Sequence, residues 1–297
     1  MSRQVANINL PKPPPSAEFL ETPISLYTTS DTFRDEREVF VRDVRDELHR
    51  FTIEKEGLEF LHDPVDIQNW DDEDEVREVL LKKTPELILK RLGAKSIFLT
   101  AERIRRSVDN STKSDTTPVF AIHGDATRQS GLELLRTSLE KMSPTERSKL
   151  NLPSSLTTTT TTNNTTNTGR VMLINVWRPL KTITRDPLGF LVPSSINASE
   201  ERHEQLFSRP ADTFKVFGKP LGDYWLDTAS YGEQHEWVFL RHQKREEPVM
   251  FVQWDSEGVE EGKFENRMSV FHSCFEDEEY CGDEGRASME LKCLVFF

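Results

Sequence analysis

Val171-Met172-Leu173-Ile174-Asn175-Val176-Trp177, closed by Arg178-Pro179-Leu180, is rich in β-forming residues and reads as a strand. Similar runs occur at Trp237-Val238-Phe239-Leu240, Val249-Met250-Phe251-Val252 and Leu294-Val295-Phe296-Phe297. A fourth, Val119-Phe120-Ala121-Ile122, starts just after Pro118 and runs straight into His123. Short strands bounded by Gly, Pro and charged turns predict a sandwich or barrel, not alternating βαβ units.

Helical patterning is concentrated in the first half. Asp71 to Glu75 is an acidic run of the kind favoured at a helix N-terminus. Val76, Val79 and Leu80 follow at i, i+3, i+4 spacing and form an apolar face. Thr84-Pro85 reads as the cap and first position of a second helical piece carrying Leu87, Ile88 and Leu92, with Gly93 as its stop. Gly131 to Lys141 is a further helical stretch. These helices are expected on the outside of the β core. Val39-Phe40-Val41 and Phe51-Thr52-Ile53 predict two short strands about a polar turn at Asp46-Glu47.

Residues 1–30, with Pro11, Pro13, Pro14 and Pro15, read as an extended Pro-rich arm, and 31–297 as one domain. Within it, the Thr/Asn tract from Thr157 to Thr168 has no apolar side chain to offset the entropy of ordering. The span 152–169 is therefore expected to be a flexible surface loop.

The chain has 297 residues, 35% hydrophobic and 30% charged, with 18 Phe and 5 Trp, enough for a sizeable core. Its net charge of -13 argues against nucleic acid as a partner. No apolar stretch approaches the ~20 residues of a membrane span. The start, Met1-Ser2-Arg3-Gln4-Val5, lacks a signal-peptide pattern. Cys274, Cys281 and Cys293, an odd set, suggest free thiols in a reducing, cytoplasmic setting.

Three short segments carry the chemistry. His123-Gly124-Asp125 ends a strand, where alternation points both side chains to one face. His272 sits in a second strand-like run, after Ser269-Val270-Phe271. Arg286-Ala287-Ser288 opens the last one, so that a hairpin from His272 to Arg286 is expected to bring the arginine beside the metal. Two imidazoles and a carboxylate on one face of a metal leave three positions open, the pattern of non-haem Fe(II) oxygenases. A downstream arginine matches the far carboxylate of a 2-oxo acid bidentately. Taken singly, His123 and His272 read as structural histidines and Arg286 as a surface charge. The combination points to an Fe(II)/2-oxoglutarate-dependent oxygenase, with His235 as the substitute for His272.

Asn175-Val176-Trp177-Arg178-Pro179-Leu180 with Asp186-Pro187-Leu188 resembles the NVWRP and DPL signature of the CmcJ/NvfI/EfuI and AsaB-like hydroxylase/desaturase family. Asp43-Val44-Arg45, Gly57-Leu58-Glu59-Phe60, Trp254-Asp255-Ser256 and Phe271-His272-Ser273 continue the resemblance. It covers roughly Val39 to Phe297 and departs at Gly189-Phe190, where the family more often has Ala and a smaller apolar residue.

This family is dominated by fungal secondary-metabolite enzymes. The resemblance implies a double-stranded β-helix (jelly-roll) core, Fe(II) and 2-oxoglutarate as cofactors, and His123, Asp125 and His272 as ligands. It implies Arg286 at the distal carboxylate with Ser288 as a hydroxyl partner, and Asn175 and Arg178 lining the cofactor site. Arg178 is equally readable as a structural charge paired with Asp186 or Asp255. The implied reaction is oxidation of an unactivated C–H of a metabolite, by hydroxylation, desaturation or endoperoxide formation, with release of succinate and CO2. A small-molecule substrate of terpenoid, polyketide or peptide origin and O2 are the expected partners, and a homodimer is compatible. A metal-free β-barrel that binds an apolar metabolite is the alternative.

Overall fold

Every residue of Val171–Pro179 is buried in the computed structural model, which describes residues 3–11, 24–25, 34–107, 118–150, 152, 169–208, 215–216, 219–220, 223–259 and 269–297. Side chains on both faces of this strand are covered, which is why its sequence is a continuous run and not an alternation.

In chain order the principal elements are β1 (Arg3–Pro11), β2 (Arg34–Asp43), β3 (Leu58–Phe60), α1 (Glu73–Leu92), β4 (Ser96–Arg106), α2 (Arg128–Lys141), β5 (Val171–Pro179), β6 (Leu188–Leu191), β7 (Arg202–Ser208), β8 (Tyr224–Ala229), β9 (Trp237–Phe239), β10 (Val249–Asp255), β11 (His272–Cys274) and β12 (Ala287–Phe296). The large sheet has the order β3-β10-β5-β12-β4 and is antiparallel throughout. The small sheet has the order β1-β2-β9-β6-β11, with β2 and β9 parallel.

The small sheet curls until both of its edges reach one short segment. Asn9 of β1 bridges Ala121, and His272 of β11 bridges His123. Gly124 then bridges Asp227 in the antiparallel β7–β8 pair. Ile8, Val41, Leu191, Trp237, Phe239 and Phe271 pack together inside the curl. On the other face Phe190 and Val238 meet Phe60, Trp177 and Phe251 of the large sheet, and this is the core between the sheets.

Helices cover the outside, as the pattern predicts. Val76 and Leu80 of α1 pack against Ile104, Met289 and Leu291, and Ile88 against Ile174, Val176 and Val295. Leu135 and Leu139 of α2 close one end against Leu173, Trp254 and Leu294. The architecture is the expected mainly-β, jelly-roll core with flanking α. Among the described residues no helix is long and apolar enough to cross a membrane.

Four expectations are corrected. Helix α1 is continuous through Pro85, because Val76, Leu80, Thr84 and Ile88 are buried in one stripe that runs past it. Burying that stripe outweighs the roughly 3 kcal/mol an interior proline costs. Gly93 ends the helix at φ 64, as read from the sequence. Phe51-Thr52-Ile53 is not a strand: the Thr52 side chain accepts from the Lys55 N–H and starts a short helix, Ile53–Glu56.

Of the N-terminal arm, Arg3–Pro11 is extended but lies within the small sheet, in register with Arg34–Asp43. Pro13, Pro14 and Pro15 and the Thr/Asn tract at 157–168 lie outside the described residues. Finally, His272 and Arg286 do not share a hairpin. β11 pairs with β6 in the small sheet and β12 with β5 and β4 in the large one, so they face each other across the core.

Candidate metal centre

His123 and His272 form a mutually bonded antiparallel pair. The His123 N–H donates to the His272 carbonyl at 3.2 Å, and the His272 N–H to the His123 carbonyl at 3.0 Å. Directly opposed residues project to the same face, and the two imidazole centroids lie 4.4 Å apart. The Nδ1 atoms lie 2.8 Å from the Ala121 carbonyl and 3.1 Å from the Val270 carbonyl. A carbonyl only accepts, so each neutral ring carries its proton on Nδ1 and keeps Nε2 free as a ligand atom.

Residues 119–125 form isolated bridges rather than the expected continuous strand, yet Asp125, two residues after His123, converges on the same point. One ligand atom from each of His123, Asp125 and His272 lies within 4.8 Å of the others. Between the ligands, Gly124 is compelled by space. A Cβ there would stand 2.1 Å from Ser269 Oγ.

Both oxygens of the Asp125 carboxylate are held. Lys292 Nζ lies 2.7 Å from Oδ1, and Asn175 Nδ2 donates to Oδ2 at 3.1 Å. The Asp125 N–H donates to Gln253 Oε1, whose residue is the bulge in β10 between Val252 and Trp254. Burial alone would raise the Asp125 pKa, but the Lys292 charge holds it far below the usual carboxylate range, with the two imidazoles adding to this once protonated in acid. Burial pushes His123 down to about 3, with His272 adding to the effect, and it lowers His272 as well. The site therefore presents two neutral imidazoles and one carboxylate near pH 7, the state in which these groups bind metal.

Arg286 is buried beside this centre. Its guanidinium bonds the Asp186 carbonyl at 3.0 Å and Cys274 Sγ, two residues along β11 from His272, and lies 5.4 Å from the Trp177 ring centroid. Asp186 presents that carbonyl at φ 56, a left-handed conformation uncommon for a non-glycine residue. Arg286 Nε, Ser288 Oγ, Trp177 Nε1 and Asn175 Oδ1 are buried without a hydrogen-bond partner. Buried polar atoms left open in this way are where a polar ligand fits.

Two sequence-predicted residues are elsewhere. Arg178 sits on the opposite face of β5 from Asn175 and Trp177, because neighbouring strand residues alternate. It bonds the Asp63 carbonyl at 2.7 Å, the Arg245 carbonyl at 2.9 Å and the Asp63 carboxylate. It does not line the cofactor site, and its partner is neither Asp186 nor Asp255. His235 is bonded to Glu201 at 2.9 Å and is no substitute ligand.

Sequence reading missed Lys292 and Gln253. Arg286, Ser288, Glu290 and Lys292 are polar at every second position of an otherwise apolar stretch, and that alternation is the signal for an inward-facing polar row.

A jelly-roll frame with two imidazoles and a carboxylate gathered between its sheets is the architecture of a mononuclear metal site. The family model described as oxidoreductase/YMDC permease-like domain matches residues 9–296, and the chain belongs to that family. Among similar proteins, the hydroxylase/desaturase efuI of Hormonema carpetanum is 24% identical over 275 residues, covering 87% of this chain and 83% of its own. The alpha-ketoglutarate-dependent dioxygenase phiK of a fungal species is 22% identical, covering 89% and 85%. The fold matches a variant of the iron and alpha-ketoglutarate-dependent endoperoxidase NvfI with a TM-score of 0.76 at 19% identity, over 100% of this chain and 98% of that one.

Proposed function

We propose that the chain is a non-haem Fe(II)/2-oxoglutarate-dependent dioxygenase that oxidises an unactivated C–H bond of an apolar secondary metabolite. The observation that carries this reading is the convergence of His123, Asp125 and His272 within 4.8 Å, next to a buried arginine with an open Nε. In this reading those three side chains hold the iron, and Arg286 with Ser288 holds the distal carboxylate of 2-oxoglutarate. Iron with bound 2-oxoglutarate supplies, on reaction with O2, succinate, CO2 and the oxidising power to remove hydrogen from carbon.

The chain's own residues do the positioning. Ala121 and Val270 fix the imidazole tautomers through their carbonyls, and Asn175 and Lys292 fix the carboxylate. The Trp177 N–H is a further donor open to an acidic ligand. Phe251 and Phe190 stand 5.0 and 6.3 Å from the His272 ring and keep water from that side. A dry pocket protects a reactive carbon centre. A metal-free binding protein has no use for such a donor set. In this reading the enzyme works in the cytoplasm, its oxygenase domain includes the strand Arg3–Pro11 as well as 31–297, and a homodimer is compatible with it.

Anaerobic addition of Fe(II) and 2-oxoglutarate to the metal-free protein tests it. A visible metal-to-ligand charge-transfer band, weakened in Arg286→Ala, is expected. A folded protein that binds iron without the band, or binds no iron, would overturn the reading.

A further inference from the structure

We infer that Lys292 is a positioning residue and a built-in counter-cation for Asp125, holding its carboxylate in place before metal arrives and competing with the metal for it. The inference rests on the reading of His123, Asp125 and His272 as a metal seat.

Lys292 and Asn175 are directly opposed on β12 and β5, so their side chains leave adjacent strands together. Each takes one oxygen of the same carboxylate, at 2.7 and 3.1 Å. The neighbouring strand is adjusted to this placement. Opposite Lys292 and Cys293, β4 carries an extra residue, Thr100, between Ala101 and Leu99. The Thr100 hydroxyl bonds the Lys292 carbonyl at 2.8 Å. Bulges of this kind re-aim side chains beside functional sites.

Lys292 also faces the other acid on its side of the strand, Glu290, and against the upward push of burial its charge helps to hold that carboxyl below its usual range. Glu290, two residues earlier, lies 3.4 Å from Arg105 and 4.0 Å from Arg103. Glu290 thus has two arginines in addition to Lys292, and the direct ion pair of the Lys292 ammonium is with Asp125.

The need for such a group follows from burial. The Asp125 side chain is 9% exposed, and the Lys292 ammonium is in direct contact with its carboxylate. A buried carboxylate without a cation is strongly unfavourable. In the metal-free protein Lys292 supplies that cation. A divalent ion arriving at the same carboxylate meets a like charge a few ångströms away, and this repulsion weakens binding. Removing the ammonium should therefore destabilise the metal-free protein and tighten the metal site. A side chain that only packs would change neither in that combination.

The test compares the full-length wild type with Lys292→Met, which keeps the length of the side chain, and Lys292→Gln, which keeps a donor without the charge. Each is melted metal-free and titrated calorimetrically with Mn(II), an ion that does not react with O2. The metal-free melting temperature is expected to fall by several degrees in both variants, and Mn(II) affinity to rise by about tenfold or more. Lys292→Arg, which restores a cation, should return both quantities toward wild type. Unchanged or weaker Mn(II) affinity in folded Lys292→Gln, or an unchanged metal-free melt, would overturn the inference alone. Failure of the wild type itself to bind Mn(II) would overturn both the inference and the metal reading beneath it.

Discussion

The backbones of His123 and His272 exchange two hydrogen bonds, at 3.2 and 3.0 Å, so each proposed ligand fixes the main chain of the other. Neither histidine stands on a freely moving loop, and their ring spacing of 4.4 Å is set by strand pairing. Replacing one side chain leaves that backbone pairing intact. His272→Ala should thus keep its far-UV circular dichroism while losing the charge-transfer band. Turnover should drop by more than the about 100-fold that follows loss of a partner outside the ligand set. Retention of the band would remove His272 from the site.

The spacing residue offers a test of geometry. A Cβ on Gly124 would meet Ser269 Oγ at 2.1 Å and Ser269 Cβ at 2.8 Å. Gly124→Ala is expected to cost about 1–3 kcal/mol of stability, as overpacking does. Gly124→Ala with Ser269→Gly should recover most of that in a double-mutant cycle of denaturant melts. Additive losses would show that the collision is not the cause.

Arg286 is expected to act on 2-oxoglutarate and not on iron. Its guanidinium bonds the Asp186 carbonyl and Cys274, with Nε left open. Arg286→Lys keeps the charge but loses the planar fork. It should raise the 2-oxoglutarate KM about tenfold or more, with Mn(II) affinity within about twofold of wild type, given that a charge-assisted hydrogen bond contributes ~1.5–3 kcal/mol. Equal loss of both affinities would place the arginine in a structural role.

Arg178 should behave in the opposite way. It is 1% exposed and tied to Asp63 and two carbonyls on the outer face of β5. Arg178→Met leaves Asp63 without its partner and is expected to cost about 3–5 kcal/mol. The 2-oxoglutarate KM of the folded fraction should be unchanged. A raised KM with wild-type stability would return Arg178 to the cofactor site.

The metal-free protein should be acid-sensitive. Burial holds His123 down to about 3 and lowers His272, so the unfolded chain takes up protons near pH 6.5 that the folded one does not. This leaves stability flat above about pH 6.5 and makes it fall below that, by up to about 1.4 kcal/mol per pH unit for each such group. Melts between pH 7.5 and 5 should show the slope, reduced in His123→Gln. A pH-independent melt would mean that the rings are hydrated.

Much of this was legible in the chain, for identifiable reasons. β5 declares itself because a strand covered on both faces must be apolar on both. His123 and Asp125 are readable as a pair because alternation predicts a common direction, and they converge although their segment is no continuous strand. The position of Arg286 was not legible as a local feature. It approaches His272 across the core from the other sheet, a relationship that depends on which strands pair. The face of Arg178 is set by the same alternation, yet its partner Asp63 lies in an irregular segment with no pattern to read. Pro85 misled because local propensity suggested a break, whereas the buried stripe that overrides it is a tertiary effect.

The segment Ala121–Gly124 joins β1, β11 and the β7–β8 pair, and two of the proposed ligands sit across its seam with β11. A bound ion there would be a staple between residues half the chain apart, and loop closure over that length carries a real entropic cost. The seam would be easiest to peel open in the empty protein. Proteases and hydrogen exchange should thus distinguish the empty from the loaded form first along β11 and Ala121–Gly124, and last in the large sheet beneath α1.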